Sequence, residues 1–181
     1  IKEKITKNTK AIITVSLYGL SPDYDEIKNV IKNNNIKLIE DNAECFLGEY
    51  KGKLVGTLGD CASFSFQSSK HLTSGEGGII LTNDENFANK IRQIQSLGYA
   101  GVSAKKGKIR KLDIQSPDYN RHMTMGWNYR MPELCCAVAL AQTERIDELV
   151  DQRIKVARIF SDASKEFQKW FVPQFVPKNY K

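Results

Sequence analysis

The sequence predicts an α/β fold with parallel strands, and two observations support this prediction. First, an apolar run at 11–15 is followed by an amphipathic helical pattern at 22–31 and a second apolar run at 36–39, which is the order of a β-α-β unit. Second, continuous apolar runs of this length are typical of strands that are buried in a parallel sheet. We therefore expect a right-handed crossover between the first two strands.

Local signals predict the start of the first helix and the position of a hairpin. Ser21 and Pro22 form a serine cap followed by proline at the first helical position, so we expect the helix to begin there. Apolar residues three and four positions apart give this helix one buried face (Tyr24, Ile27 and Ile31). Further along, Lys51 and Gly52 predict the turn of a short β-hairpin.

Asp41 follows the second strand directly, at its carboxyl end. Ligands of open α/β sheets gather at the carboxyl ends of the strands, so Asp41 is a candidate ligand-binding residue. The alternative interpretation is that its carboxylate only forms a turn or caps a helix.

The stretch 59–83 predicts a strand, a loop and a second strand. Residues 61–66 alternate small or polar side chains with aromatic ones, residues 79–81 are apolar, and a glycine-rich turn lies at 74–78. Lys70 lies in the connection, among hydroxyl and glycine residues. A lysine in these surroundings at the edge of a sheet is positioned to meet a ligand, whereas the alternative is an ordinary solvated loop lysine.

Two more helices are predicted downstream. Asp84 caps a helix that ends at Gly98 and has one apolar face (Phe87, Ile91 and Ile94). Residues 99–125 form a long irregular connection. Pro132 then opens one long helix that continues to about Ile154.

Composition and charge limit the possible functions. The chain has 181 residues, 41% hydrophobic and 27% charged, which is ordinary for a globular protein. No run of 18 apolar residues predicts a membrane span. Four cysteines without metal-ligand or Cys-x-x-Cys spacing indicate a reducing compartment and no metal site. We therefore expect a cytoplasmic protein that has no membrane partner.

The net charge of +6 comes in large part from the stretch 105–111. Clustered Lys and Arg residues are typical of nucleic-acid-binding segments, but no aromatic residues are interleaved with them. A solvated surface loop is the favoured interpretation, and we expect no nucleic-acid partner. A loop that attracts an anionic nucleotide diphosphate is an alternative.

Four segments resemble the nucleotide-sugar aminotransferases of the DegT/StrS family, in the family's order. They are Val15-Ser16-Leu17-Tyr18-Gly19, Ile39-Glu40-Asp41-Asn42-Ala43-Glu44, the segment from Ser65 to Gly78, and the segment from Gly126 to Leu134. The resemblance covers nearly all of the chain up to about Ser164. It implies an enzyme of pyridoxal phosphate (PLP) fold type I, whose large domain has a mostly parallel sheet flanked by helices.

The same resemblance implies a domain organisation. We expect residues 1–150 to be the C-terminal portion of the PLP-binding large domain. Residues 151–181 are expected to be the connecting helix and the beginning of a small C-terminal domain, which is truncated. Members of the family are about twice this long and the first residue is Ile1, so we expect an interior piece of a larger enzyme.

The resemblance also implies roles for five residues. Lys70 matches the lysine that binds PLP covalently and then moves a proton during the reaction. Asp41 matches the carboxylate that keeps the pyridine nitrogen protonated, which PLP needs to accept electrons. Ser65 matches a phosphate-binding serine, and Glu44 lies where a residue beside the cofactor ring is found. Asn128 matches an asparagine that reaches the phosphate of the neighbouring subunit in a homodimer, although it could instead cap the following helix.

The implied function is a PLP-dependent aminotransferase of polysaccharide biosynthesis, similar to the perosamine-type members. It would transfer an amino group, with glutamate as the expected donor, to a 4-keto-6-deoxy nucleotide-diphosphate sugar. One branch of the family replaces the lysine by histidine and acts as a sugar 3-dehydratase, so Lys70 favours transamination. The alternatives are a dehydratase or a regulatory member of the same family, and, from a different class, a non-catalytic basic binding domain.

Overall fold

The computed structural model describes residues 1–32, 34–100, 112 and 115–181. The chain divides into two compact units, of which the first contains Ile1–Leu81 and Glu133–Lys181 and the second contains Thr82–Pro132. The basic stretch 105–111 lies outside the described residues. Among the helices of the described ranges, none has the length and apolar character needed to cross a membrane.

The helices and strands follow one another in the predicted order. The strands are β1 (Ala11–Val15), β2 (Lys37–Asp41), β3 (Glu49–Tyr50), β4 (Lys53–Leu54), β5 (Cys61–Ser65) and β6 (Gly78–Leu81). The described α-helices are α1 (Tyr24–Ile31), α2 (Glu85–Gln95), α3 (Glu133–Thr143) and α4 (Ile146–Ser164), and short 3₁₀ turns lie at Lys2–Lys4, Leu17–Gly19 and Lys165–Phe167.

A four-stranded sheet with the order β1-β2-β5-β6 forms the centre of the first unit. β1, β2 and β5 are parallel, and β6 is antiparallel to β5. The prediction of a mostly parallel α/β sheet is therefore confirmed. The predicted hairpin is also confirmed, since β3 and β4 pair around Lys51 and Gly52, which both have positive φ (50° and 75°).

α1 connects the first two strands and packs on the core. Its buried side chains join a cluster with residues of β2 and the hairpin (Tyr24, Ile27, Leu38, Cys45, Tyr50 and Val55). The predicted start at Ser21 is wrong, because the N-cap is Asp23, whose carboxylate accepts the backbone N–H of Glu26 at 3.1 Å. A carboxylate both satisfies this N–H and interacts favourably with the helix dipole.

A buried glutamate, Glu40, fastens β2 to the loop that precedes β5. Its side chain is 0% exposed. The carboxylate accepts two side-chain hydrogen bonds and three backbone N–H bonds (from the Tyr24 hydroxyl at 3.0 Å, the Asn42 amide at 3.5 Å, Gly56 at 2.6 Å, Leu58 at 2.6 Å, and Gly59). Successive strand residues face opposite sides of a sheet, so Asp41 points away from this network.

One face of the sheet is not covered by the described residues. Ile13 is 64% exposed and Val15 is 49% exposed. The register places Val15 beside Asp41 and Ile13 beside Ile39, so the uncovered face is the face that carries Asp41. The prediction of a fully buried β1 is wrong, because β1 is an edge strand whose apolar side chains on this face have no covering layer among the described residues.

The long helix predicted from Pro132 is two helices, α3 and α4. Arg145 separates them, with φ −114° and ψ 18°. The Thr143 hydroxyl donates to the carbonyl of Ala139 at 2.8 Å, a local bond that competes with continued helix. Arg145 then pairs with Glu148 at 3.0 Å. The predicted domain boundary at residue 150 falls inside α4 and stays a prediction.

The second unit contains α2, whose predicted cap is confirmed. Asp84 is the N-cap and accepts the backbone N–H of Phe87 at 3.0 Å. α2 ends at Gln95, and the chain then turns through two residues of positive φ, Leu97 (59°) and Gly98 (72°). The Gly98 N–H donates to the carbonyl of Gln93 at 2.8 Å, which is the closing bond of such a helix C-terminus. Gly98 packs so closely that a Cβ there would lie 1.8 Å from the carbonyl oxygen of Thr124.

Candidate active site

Three loops meet where β1, β2 and β5 end, and they carry Tyr18, Glu44 and Lys70. The Lys70 amine lies 3.4 Å from Glu44 Oε1, and Glu44 Oε2 accepts the backbone N–H of Tyr18 at 3.1 Å. These residues line a cavity of about 300 Å³ together with Ser69 and His71. The site thus lies at the carboxyl ends of the parallel strands, where ligands of open α/β sheets bind.

Glu44 forms an ion pair with Lys70, and both side chains are partly shielded from solvent. The side chains of Lys70 and Glu44 are 21% and 33% exposed. The N–H of Tyr18, first, and the Lys70 amine, second, lower the pKa of Glu44 below its usual value. Glu44 is therefore ionised at neutral pH, and it holds the Lys70 amine at the cavity wall.

Tyr18 adopts a backbone conformation that is costly for a residue with a side chain. Its φ is 51° and its ψ is 34°, in the left-handed region. The bond from its N–H to Glu44 helps to hold it there, and the preceding Ser16 is anchored by a buried 2.7 Å hydrogen bond to Asn42. Such strain is concentrated at functional sites. Tyr18 was not predicted as a site residue, although a Tyr-Gly pair shortly after a strand is a sequence signal for such a site.

Asp41 and Ser65 lie on the same face of the sheet. Asp41 is in register with Ser63, and Ser65 is two positions further along β5, so the Cα atoms of Asp41 and Ser65 are roughly 8 Å apart. Asp41 Oδ1 accepts the N–H of Ala43 at 3.1 Å, as in the predicted turn alternative, but its other oxygen accepts no hydrogen bond from the described residues. Ser65 Oγ accepts the N–H of Gln67 at 3.2 Å, which leaves its hydroxyl proton able to donate.

His71 follows Lys70 and is uncharged at neutral pH. Burial, first, and the nearby charges of Arg153 and Lys70, second, lower its pKa below 6.5. Its Nδ1 is buried and has no hydrogen-bond partner among the described residues. No role was predicted for His71 from the sequence.

Asn128 belongs to the second unit, whereas the other four predicted site residues belong to the first. Its Oδ1 accepts a 2.9 Å hydrogen bond from Nε of Arg130, and its backbone forms a bridge with Ser96. α3 begins at Glu133, five positions later, so Asn128 is not the N-cap of that helix. Its predicted phosphate-binding role stays a prediction.

No group of three or more His, Cys, Asp or Glu side chains in the described part of the chain is arranged to hold a metal ion.

The profile of the DegT/DnrJ/EryC1/StrS aminotransferase family matches residues 1–180. The chain belongs to this family. The membership confirms the resemblance that the four sequence segments indicated, and it identifies PLP as the cofactor.

Members of the DegT/DnrJ/EryC1/StrS family with assigned activities are similar to this chain. The GDP-perosamine synthase of Escherichia coli O157:H7 is 38% identical over 160 residues, which are 88% of this chain and 40% of that protein. The GDP-perosamine synthase of Caulobacter vibrioides is 41% identical over 155 residues, which are 84% of this chain and 37% of that protein. The chain thus spans about 40% of the length of these relatives.

A solved structure of the family has the same fold. The E. coli GDP-4-keto-6-deoxy-D-mannose-3-dehydratase with bound hydrated PLP matches with a TM-score of 0.79 and 31% identity, over 91% of this chain and 43% of that one. The predicted fold class, part of a PLP fold-type-I enzyme, is therefore confirmed.

The residues present fit PLP. Lys70 provides an amine in a cavity, as a covalently bound aldehyde requires. Asp41 has a carboxylate oxygen that accepts no hydrogen bond from the described residues, and Asp41 shares a sheet face with Ser65. A ring nitrogen and a phosphate group need these two kinds of partner.

Proposed function

We propose that this chain is part of a PLP-dependent aminotransferase. The enzyme transfers an amino group from glutamate to a 4-keto-6-deoxy nucleotide-diphosphate sugar. The observation that carries the proposal is the Lys70 amine, held by Glu44 at the carboxyl ends of the parallel strands. The names of two relatives that are 38% and 41% identical support a perosamine-type product.

Each residue of the site has a proposed task. Lys70 would bind the cofactor aldehyde and, once released, would move a proton at the reacting carbon. Asp41 would keep the ring nitrogen protonated, and the Ser65 hydroxyl would donate to the phosphate. When bound, PLP supplies an electron-accepting ring. Glu44 would lie beside that ring, and it positions the Lys70 amine.

The proposal extends to a cytoplasmic homodimer with shared active sites. Asn128 is the candidate residue that reaches the phosphate in the partner subunit. With its Oδ1 occupied by Arg130, its side-chain N–H groups are available to donate.

A sugar 3-dehydratase is the second candidate function. The similar solved structure with a TM-score of 0.79 is an enzyme of that kind. The dehydratase branch has histidine in place of the lysine, so Lys70 favours amino transfer.

Cofactor binding and half-reactions test the proposal. PLP added to the protein should give an absorbance band at about 410–430 nm, and borohydride reduction followed by peptide mass spectrometry should place the cofactor on Lys70. The band should be absent in Lys70→Ala and unchanged in Lys53→Ala, an exposed hairpin lysine. A band that persists in Lys70→Ala contradicts the proposal.

The two candidate reactions differ in their products. L-glutamate should remove the band, and the keto-sugar should then restore it while gaining an amino group. Loss of the sugar's C3 hydroxyl without net amino transfer would instead establish the dehydratase.

A further inference from the structure

Lys70 and His71 also border a second, larger cavity, of about 660 Å³. Its other wall is formed mainly by α4, which contributes Arg153, a glutamine and several apolar side chains (Gln152, Val156 and Phe160). All of these residues belong to the first unit. A concave site that has an apolar lining and a few polar groups is typical of small-molecule binding.

Arg153 lines this cavity and forms no ion pair with a carboxylate of the described residues. Its Nη2 donates to the backbone carbonyl of Lys70 at a long 3.5 Å. Among the described residues, no carboxylate lies within 4.0 Å of its guanidinium group, whereas Arg145 just before the same helix pairs with Glu148 at 3.0 Å. A guanidinium group has five N–H donors in a planar fork that matches a carboxylate or a phosphate.

The neighbouring groups do not neutralise Arg153. The Lys70 charge is paired with Glu44. His71 is uncharged at neutral pH, and the Arg153 charge is one reason for the lowered pKa of His71. The cavity therefore presents one uncompensated cation next to a histidine whose buried Nδ1 has no hydrogen-bond partner among the described residues.

We propose that this cavity is an oxyanion-binding subsite in which Arg153 receives a carboxylate or phosphate group of the molecule that reacts at Lys70. Reaction at Lys70 rests on the proposed function, but the binding of an oxyanion by Arg153 does not. A carboxylate would come from the amino donor, and a phosphate from the nucleotide sugar. One guanidinium group can hold either in two parallel hydrogen bonds.

Titration of the full chain without cofactor tests the subsite. Glutarate and inorganic pyrophosphate serve as probes, and the Nε–H resonances of the arginine side chains are followed by NMR. We expect the Arg153 resonance to shift with one probe at least. Preference for glutarate assigns the subsite to the amino donor, and preference for pyrophosphate assigns it to the nucleotide sugar.

Three variants complete the experiment. Arg153→Gln should weaken binding of the preferred probe about tenfold or more, because charge-assisted bidentate bonds are lost. Arg153→Lys should be intermediate, since it keeps the charge without the planar fork. Arg158→Gln removes an exposed arginine that does not line the cavity, and it should bind as the parent does.

The proposal is overturned if neither probe shifts the Arg153 resonance, or if Arg153→Gln and Arg158→Gln bind equally well. The parent titration decides alone if Arg153→Gln does not fold. Failure of the proposed function gives a different pattern, because PLP would then not attach to Lys70 while the probes still bind at Arg153.

Discussion

Replacement of Glu40 should destabilise the protein even when the shape of the side chain is kept. The Glu40 carboxylate is fully buried and accepts five hydrogen bonds, three of them from backbone N–H groups of residues 56–59. Glutamine in its place has one oxygen and one NH₂ group, so some of the groups that donate to Glu40 would face the NH₂ group, which is itself a donor. Loss of a charge-assisted bond costs about 1.5–3 kcal/mol, and an unsatisfied buried donor costs about 1–3 kcal/mol.

These values predict that Glu40→Gln lowers the free energy of unfolding by about 2–4 kcal/mol, and that Glu40→Ala lowers it by about 3–5 kcal/mol. Urea unfolding followed by circular dichroism measures both. Glu76→Gln is the matched control, because Glu76 is exposed in a loop, and it should change stability by less than about 0.5 kcal/mol. If the Glu40→Gln protein were as stable as the control, the Glu40 carboxylate would not stabilise the loop at residues 56–59.

Three further predictions concern the site and the second unit. The pKa of Glu44 is lowered in the folded protein. The contribution of Glu44 to stability should therefore be present above about pH 4.5 and be lost as the pH falls through the lowered pKa. The difference in free energy of unfolding between the parent and Glu44→Gln, measured against pH, should shrink in that range. Gly98→Ala should lower the free energy of unfolding by more than about 2 kcal/mol, since a Cβ there would overlap a carbonyl oxygen. Gly52→Ala is the control, because no described atom lies near its Cβ position, and it should cost about 1 kcal/mol from its positive φ alone. Equal losses in urea unfolding would contradict the close packing at Gly98. Asp41→Asn should still attach PLP at Lys70 but should slow the glutamate half-reaction at least about 100-fold, as stopped-flow absorbance would show; an unchanged rate would remove Asp41 from the proposed site.

The elements that the sequence predicted well are those set by neighbouring residues. The turn at Lys51 and Gly52 and the cap at Asp84 each depend on a few adjacent side chains, and each is found where expected. α2 ends at Gln95, slightly before the predicted stop at Gly98. The start of α1 and the break at Arg145 were missed, because several residues could cap or continue each helix and small differences between local hydrogen bonds decide.

The candidate site was predictable only in part. Lys70, Asp41, Glu44 and Ser65 belong to segments with a recognisable family pattern, and the structure places them near the carboxyl ends of neighbouring strands. Arg153 contacts Lys70 across 83 positions of sequence. No local pattern contains such a pairing, because it arises only when α4 packs beside the Lys70 segment.

The two adjacent acids of β2 lie in environments that cannot be exchanged. Glu40 is turned towards donors that require a carboxylate, and Asp41 is turned towards the face with the Ser65 hydroxyl. A slip of β2 by one residue against its neighbours would send every side chain of the strand to the opposite face. The buried donors would then meet an apolar neighbour or a shorter acid, so misaligned sheets are penalised during folding by the same pair of residues that prepares the site. Insertions within β2 should therefore be far less tolerated than insertions at the exposed turn of Lys51 and Gly52.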